Sequence, residues 1–321
     1  MKNPTTARWI GLLTIVCVVL AACGGGDDDE SIYGTTVTSA DVKSVEPANF
    51  LGAGLASAIT TVSCTLSGGT STNCYKIVTH GAPPDHAVGP FCPTNTSSSG
   101  AGMWIENGQT YDLSGEFIKN LATFYSDSNW KMYNTSTGAV TVTDTQALFE
   151  AAAIPNTTLN NYCVEGKMSY VGGGISRTLL IPVTPVPLSS TASIDQEGVG
   201  VALNGIVMDA PAPVANIKAA YTIAAFDDQG GHINPHTGYH YHAATGASHQ
   251  VASSDGHAAL IGYALDGFGI FALNDTAGSE ATDLDTCRGH TDSTRGYHYH
   301  VASPGENMHI GCFKGEQGSS S

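Results

Sequence analysis

The chain has 321 residues with twelve histidines, as many as its lysines and arginines together. Six of those histidines fall in two matching blocks. Gly231-His232, five residues and Gly238-Tyr239-His240-Tyr241-His242 recur as Gly289-His290, five residues and Gly296-Tyr297-His298-Tyr299-His300, displaced by 58 positions without a gap. Read as a β-strand, Tyr-His-Tyr-His puts its two imidazoles on one face, roughly 6.6 Å apart along the backbone, and its tyrosines on the other. The tyrosine face suits a core, and the histidine face lets both rings reach one ion. His232 lies eight residues before His240, across a Pro-Gly turn, and can fold back as a third ligand beside His240 and His242. His290, His298 and His300 repeat that set. Imidazole nitrogen suits Zn, Cu, Fe and Ni, and three histidines with one open position are a catalytic zinc arrangement. Asp227 and Asp285 stand five residues before the Gly-His histidine of each block and are expected to fix a histidine tautomer. The spacing permits two three-histidine sites or one site pooling both blocks. His249 and His257 read as surface residues of polar loops. His236 ranks below the repeated six, since Thr294 occupies its aligned position, and His309 is unrepeated but follows the second block closely.

These blocks end a longer repeat. Gly200-Val201-Ala202-Leu203-Asn204-Gly205 aligns with Gly262-Tyr263-Ala264-Leu265-Asp266-Gly267 at an offset of 62, and Phe226-Asp227-x-Gln229 aligns with Leu284-Asp285-x-Cys287 at 58. Each unit reads as a strand ending in Leu-Asn/Asp-Gly, a variable loop, and the Gly-His and Tyr-His-Tyr-His strands. The expected fold is mainly β with a few short helices, its C-terminal region built from two tandem pseudo-symmetric repeats. Upstream, residues 31–60 read as extended and 61–115 as turn-rich. Glu116–Tyr125 has helical spacing. Trp130–Tyr133 and Ala139–Val142 read as a hairpin. Gln146–Ala153 reads as a helix capped by Asp144 and stopped by Pro155. Met168–Val186 reads as strand-rich, with Pro182, Pro185 and Pro187 holding it at an edge.

The start of the chain reads as an address. Lys2 and Arg8 precede an apolar stretch, Trp9–Leu20, too short to span a membrane, followed by Leu20-Ala21-Ala22-Cys23. That ending resembles a bacterial lipobox, which implies cleavage before Cys23, lipid on Cys23 and attachment to a membrane. Gly24 after the cysteine favours the outer membrane. The expected organisation is a signal peptide at 1–22, a lipidated acidic flexible tether at 23–45, an N-terminal part with a helical insert at 46–190, the duplicated repeats at 191–315 and a disordered tail at 316–321. Six cysteines remain after Cys17 and Cys23, an even number that suits an oxidising compartment. The expected pairs are Cys64–Cys74 across a Gly/Ser-rich turn, Cys92–Cys163, and Cys287–Cys312 bracketing the second histidine block. A formal charge of −16 with no basic stripe excludes nucleic acid as a partner. Nothing in the sequence names a protein partner.

The two Gly-Tyr-His-Tyr-His segments, Leu265-Asp266-Gly267-Phe268-Gly269-Ile270-Phe271, Leu284-Asp285-x-Cys287-x-Gly289 and Gly311-Cys312-Phe313 resemble the YHYH domain family. The likeness is dense over about 180–315. Farther upstream, His80-Gly81-Ala82-Pro83-Pro84-Asp85-His86 is similar to the family's amino-terminal segment. The resemblance implies a secreted or lipid-anchored β-rich domain with a suspected metal site and no settled activity, and it adds His86 as a candidate ligand. Gln229 stands where a cysteine is often found, so a disulfide there is absent.

Three function classes follow. The first is a lipid-anchored protein of the bacterial envelope that holds copper or zinc; scarce methionines favour a fixed imidazole site over a soft-ligand relay. The second is a metal-dependent hydrolase or oxidoreductase using an open three-histidine site, with Asp266 a weak catalytic candidate that reads more simply as a turn residue before Gly267. The third is a carbohydrate-binding or adhesion module with tyrosine platforms. The sequence carries no G-x-S-x-G, H-E-x-x-H or P-loop.

Overall fold

The computed structural model describes residues 36–152, 160–195 and 198–321. The expected signal peptide, lipid-bearing Cys23 and most of the tether lie outside the described residues, as do Ala153 and Pro155. Among the described residues no helix is long and apolar enough to cross a membrane.

In chain order the strands are β1 (Thr60–Thr65), β2 (Ser71–Val78), β3 (Met103–Glu106), β4 (Gln109–Asp112), β5 (Thr178–Pro182), β6 (Pro187–Ala192), β7 (Gly200–Ala202) and β8 (Val207–Met208). They continue as β9 (Gly231–Asn234), β10 (Gly238–Tyr241), β11 (Leu260–Ala264), β12 (Gly269–Phe271), β13 (Gly289–Asp292), β14 (Gly296–His300), β15 (Phe313–Gly315) and β16 (Ser319–Ser320). The helices are α1 (Gly115–Phe124), α2 (Gln146–Ala152) and α3 (Val214–Ala219). The protein is thus mainly β with short helices.

An eight-stranded sheet, in the order β13-β14-β12-β11-β7-β8-β10-β9, carries both histidine blocks. Its halves have the same plan. In one, antiparallel β7 and β8 lead to β10, parallel to β8, and β9 closes a hairpin on β10. In the other, β11, β12, β14 and β13 repeat those senses. Antiparallel β7 and β11 join the halves, so the histidine hairpins sit at opposite edges. Gly238 and Gly296 begin the Tyr-His-Tyr-His strands at φ of +75° and +65°, a region other residues enter at a cost.

The alternation places the tyrosines inside. Tyr239, Tyr241, Tyr297 and Tyr299 are at most 3% exposed and join a core with Trp104, Phe149, Phe268 and Phe313. A sugar platform built on these tyrosines is thereby ruled out. All three expected disulfides form: Cys64–Cys74, Cys92–Cys163 and Cys287–Cys312.

Several local expectations need correction. The turn-rich segment holds the β1–β2 hairpin, which extends into a sheet ordered β1-β2-β5-β16. β5 is therefore interior; Pro182 is tolerated because β16 pairs only with Leu179 and Leu180. Residues 316–321 are no disordered tail, for Ser319–Ser320 form β16 on β5. The end of the expected tether is packed as well: Val37 and Val45 are buried, and Asp41 lies against the turn of the β13–β14 hairpin at Gly296. At α2 the cap is Thr145, whose hydroxyl accepts from the Leu148 amide, because Thr145 and not Asp144 immediately precedes the first turn. Helix α1 forms as its spacing predicts, with Ser114 accepting from the Phe117 amide and Ile118 and Leu121 buried. The expected second hairpin is reduced to a bridge between Tyr133 and Val140.

Candidate metal centres

Register brings the histidines together. His232 lies directly opposite His240 across the β9–β10 hairpin, and His290 opposite His298 across β13–β14. Directly paired residues share a face, and His242 and His300, two positions along, share it too. Gly231 and Gly289 make room on the other face: a Cβ at Gly289 would clash with the Tyr297 hydroxyl, and one at Gly231 would meet the Tyr239 hydroxyl at 2.6 Å.

Two separate groups result, His232, His240 and His242 in the first and His257, His290, His298 and His300 in the second. One shared site is excluded, because β10 and β14 are five strand steps apart in the sheet, roughly 24 Å at 4.8 Å per step.

Nε2 atoms face inward in both groups, and on six of the seven rings Nδ1 is bonded outward. Nδ1 donates to Gly238 O from His240 (3.0 Å), to Ala210 O from His242 (2.6 Å), to Gly296 O from His298 (2.9 Å) and to Ala272 O from His300 (2.9 Å). Nδ1 of His257 donates to Ala258 O at 3.0 Å, and Nδ1 of His290 to the Asp283 carboxylate at 2.7 Å. A carbonyl can only accept, so these contacts place the proton on Nδ1 and leave Nε2 a bare lone pair. Those lone pairs converge. Nε2 of His240 is 3.1 Å from that of His232 and 3.0 Å from that of His242. In the second group the Nε2 separations are 3.0 Å (His290 to His298), 3.1 Å (His298 to His257) and 3.2 Å (His300 to His290).

Hydrogen bonds among the six rings whose Nδ1 proton is committed would require charged rings, and burial opposes that charge. It pushes His298 down to about 3 and His300 to about 4, and holds His232, His240 and His242 below the usual imidazole value. Acceptors facing one another in a buried site repel unless a cation lies between them. A tetrahedral ion with nitrogens at 2.0–2.1 Å separates them by roughly 3.3 Å, close to the spacing found. The two histidine groups can therefore hold a metal ion.

Three sequence expectations about partners are corrected. Asp227 and Asp285 do not orient the histidines. Asp227 accepts from the Tyr239 hydroxyl and the Gly231 amide, and Asp285 from the Tyr297 hydroxyl and the Gly289 amide, with Lys314 Nζ 3.2 Å away. They follow the tyrosine side of the strands, whereas backbone carbonyls and Asp283 hold the imidazoles. His86 is likewise on the tyrosine side, between Asp85 (2.9 Å) and the Tyr239 hydroxyl (3.3 Å), and belongs to neither group. Asp266 faces no cleft. It is fully buried, accepts from the Tyr299 hydroxyl at 2.6 Å and the Gly315 amide at 3.0 Å, and burial raises it to about 6. Its aligned residue, Asn204, donates to the Tyr241 hydroxyl at 2.8 Å, so both residues lock a buried tyrosine.

His257 is the candidate ligand that sequence reasoning missed. The 62-residue offset aligns it with Asp195, so the repeat gave no signal. It reaches the second group because its loop folds over the edge of Phe271, with ring centroids 5.0 Å apart. His236 is exposed, and His249 is half-buried. His309 is buried, its Nε2 3.2 Å from Tyr241 O.

No curated protein and no solved structure matches the chain. A family model described as YHYH protein matches residues 178–281, which contain the whole first histidine group and His257 of the second.

Proposed function

We propose that this is a lipid-anchored, extracytoplasmic protein of the bacterial envelope that binds copper or zinc at two histidine centres. The observation that carries the reading is the inward convergence of seven Nε2 atoms, six of them on rings whose Nδ1 proton is committed elsewhere. Neutral imidazoles prepared in this way are what copper and zinc bind. Three disulfides support an oxidising compartment, and Leu20-Ala21-Ala22-Cys23 with Gly24 supports an outer-membrane lipid anchor. The matching plan of the two sheet halves supports origin of the centres by duplication.

The test is metal content by mass spectrometry of the full chain, exported to the periplasm and purified without a histidine tag. It is run beside a variant with His240, His242, His298 and His300 changed to Ala, after circular dichroism has shown that the variant folds. Two equivalents of copper or zinc in the parent and none in the variant are expected. No metal in the parent after reconstitution overturns the reading. Acylation of Cys23, read from the mass of the amino-terminal peptide, tests the anchor separately.

An enzymatic reading has one observation in its favour. The first centre lies in a cavity of about 250 Å³ lined by Asp209, Ala210, Pro211, Pro213 and Thr237 along with its three histidines.

A further inference from the structure

The two centres, alike in their hairpins, differ in what surrounds them. Two differences between the aligned halves account for this, Phe271 in place of Asp209 and His257 in place of Asp195. At the offset of 62, Asp209 in the first half corresponds to Phe271 in the second, just as Ala210 corresponds to Ala272. Ala210 and Ala272 do the same work, each accepting from Nδ1 of the last histidine in its block. The preceding side chains diverge. Phe271 packs on His298, with ring centroids 4.8 Å apart, and on His257, so a phenyl ring and a fourth imidazole cover that centre. Asp209 places a carboxylate oxygen 3.8 Å from Nε2 of His240, with no fourth imidazole in the group. The cavity is lined by these three histidines together with Asp209.

We propose that the two centres divide their roles: the four-histidine centre is closed and structural, and the three-histidine centre keeps one coordination position that exchanges with small neutral nitrogen or carbonyl-oxygen donors. This deepens the metal-binding reading and rests on it. Four protein ligands fill a tetrahedral ion, whereas three leave a position for water or a substrate. Asp209 selects what enters. Its carboxylate can accept a hydrogen bond from a bound water or from an N–H of an incoming ligand, and it repels anions, as does a chain of formal charge −16. Ala210, Pro211, Pro213 and Ile217 give the cavity an apolar wall. The ligand class is therefore a small uncharged donor with an apolar body, of which imidazole is the simplest probe. The Asp209 backbone amide donates to Tyr241 O, and its Oδ1 accepts from the Ala210 amide. Asp209→Asn keeps an acceptor for that contact and removes only the charge.

The experiment loads the full chain with Co(II) and follows the visible d–d bands during titration with imidazole and, separately, azide. Cobalt content is measured before and after. The expected result is two cobalt ions per chain, with half of the absorbance responding to imidazole and half unchanged. In His240→Ala one ion remains and its bands do not respond. Azide binds weakly to the parent and about tenfold more tightly to Asp209→Asn, the effect of removing a nearby charge in a partly solvated site. Absence of cobalt overturns the metal-binding reading and this proposal with it. Two bound ions with no imidazole response, a response that survives in His240→Ala, or loss of cobalt to the titrant overturns the division of roles alone. Equal azide affinity in parent and Asp209→Asn overturns the selecting role of Asp209.

Discussion

His257→Ala separates a four-ligand centre from a chance gathering of rings, because its effect should differ greatly between the metal-loaded and metal-free protein. The His257 ring is half-buried, donates to Ala258 O at 3.0 Å and packs edge-on against Phe271. Without metal, truncation loses part of that packing, about 1 kcal/mol, and relieves the repulsion between the His257 and His298 nitrogens, 3.1 Å apart. The net change in the metal-free form should be near zero. With metal the account changes sign and scale. Structural zinc held by four protein ligands is worth about 10–16 kcal/mol, so one ligand carries about 3 kcal/mol, or roughly two orders of magnitude in affinity. The assay is competition for zinc against a chromophoric chelator in a His240→Ala background, which leaves only the second centre, with urea unfolding of both forms alongside. A His257→Ala protein that keeps the parent's zinc affinity refutes the four-histidine assignment. A variant destabilised equally with and without zinc would make His257 a packing residue.

Replacing Cys92 and Cys163 together by Ala opens a cross-link over 71 residues and should cost about 4 kcal/mol in urea unfolding, with metal content unchanged in whatever remains folded. The metal-free protein should lose stability in acid. His298, His300 and His309 are depressed to about 3, 4 and 4, so their contribution is complete above the unfolded value of 6.5 and falls as pH drops below it, by roughly 2 kcal/mol each at pH 5. Asp266, raised to about 6, works the other way and returns roughly 1 kcal/mol over the same range. Equal urea midpoints at pH 7 and pH 5 would contradict this balance. Gly289→Ala should cost about 2–3 kcal/mol and lower occupancy of the second centre, because the new Cβ meets a Tyr297 hydroxyl held at 3.1 Å by Asp285. Gly52→Ala, which meets nothing within 4 Å, is the control in the same thermal unfolding series.

Much of the candidate site was legible because β-strands alternate with a period of two. Tyr-His-Tyr-His on a strand sends tyrosines to the core and histidines to one ligand face, whatever the strand pairs with. The Gly-His spacing likewise predicts the fold-back of His232 and His290, since an eight-residue separation closes as a hairpin. Cysteine placement suggested the three disulfide pairs, but six cysteines allow fifteen pairings and the fold chose among them. Other features depended on pairings between distant segments. One centre or two was decided by strand order, which sends the hairpins to opposite edges of the sheet. His257 joins the second group through the path of an unrepeated loop, and Asp209, which aligns with Phe271 in the sequence, is brought beside His240 only by the fold. Asp227 and Asp285 meet the tyrosines and not the histidines for the same reason: distance along the chain does not tell which face a carboxylate meets. The sequence by itself determined the ligand chemistry, because side-chain type and local periodicity act over a few residues. The tertiary structure decided how the histidines are grouped, three in one place and four in another, because that depends on which remote side chains converge.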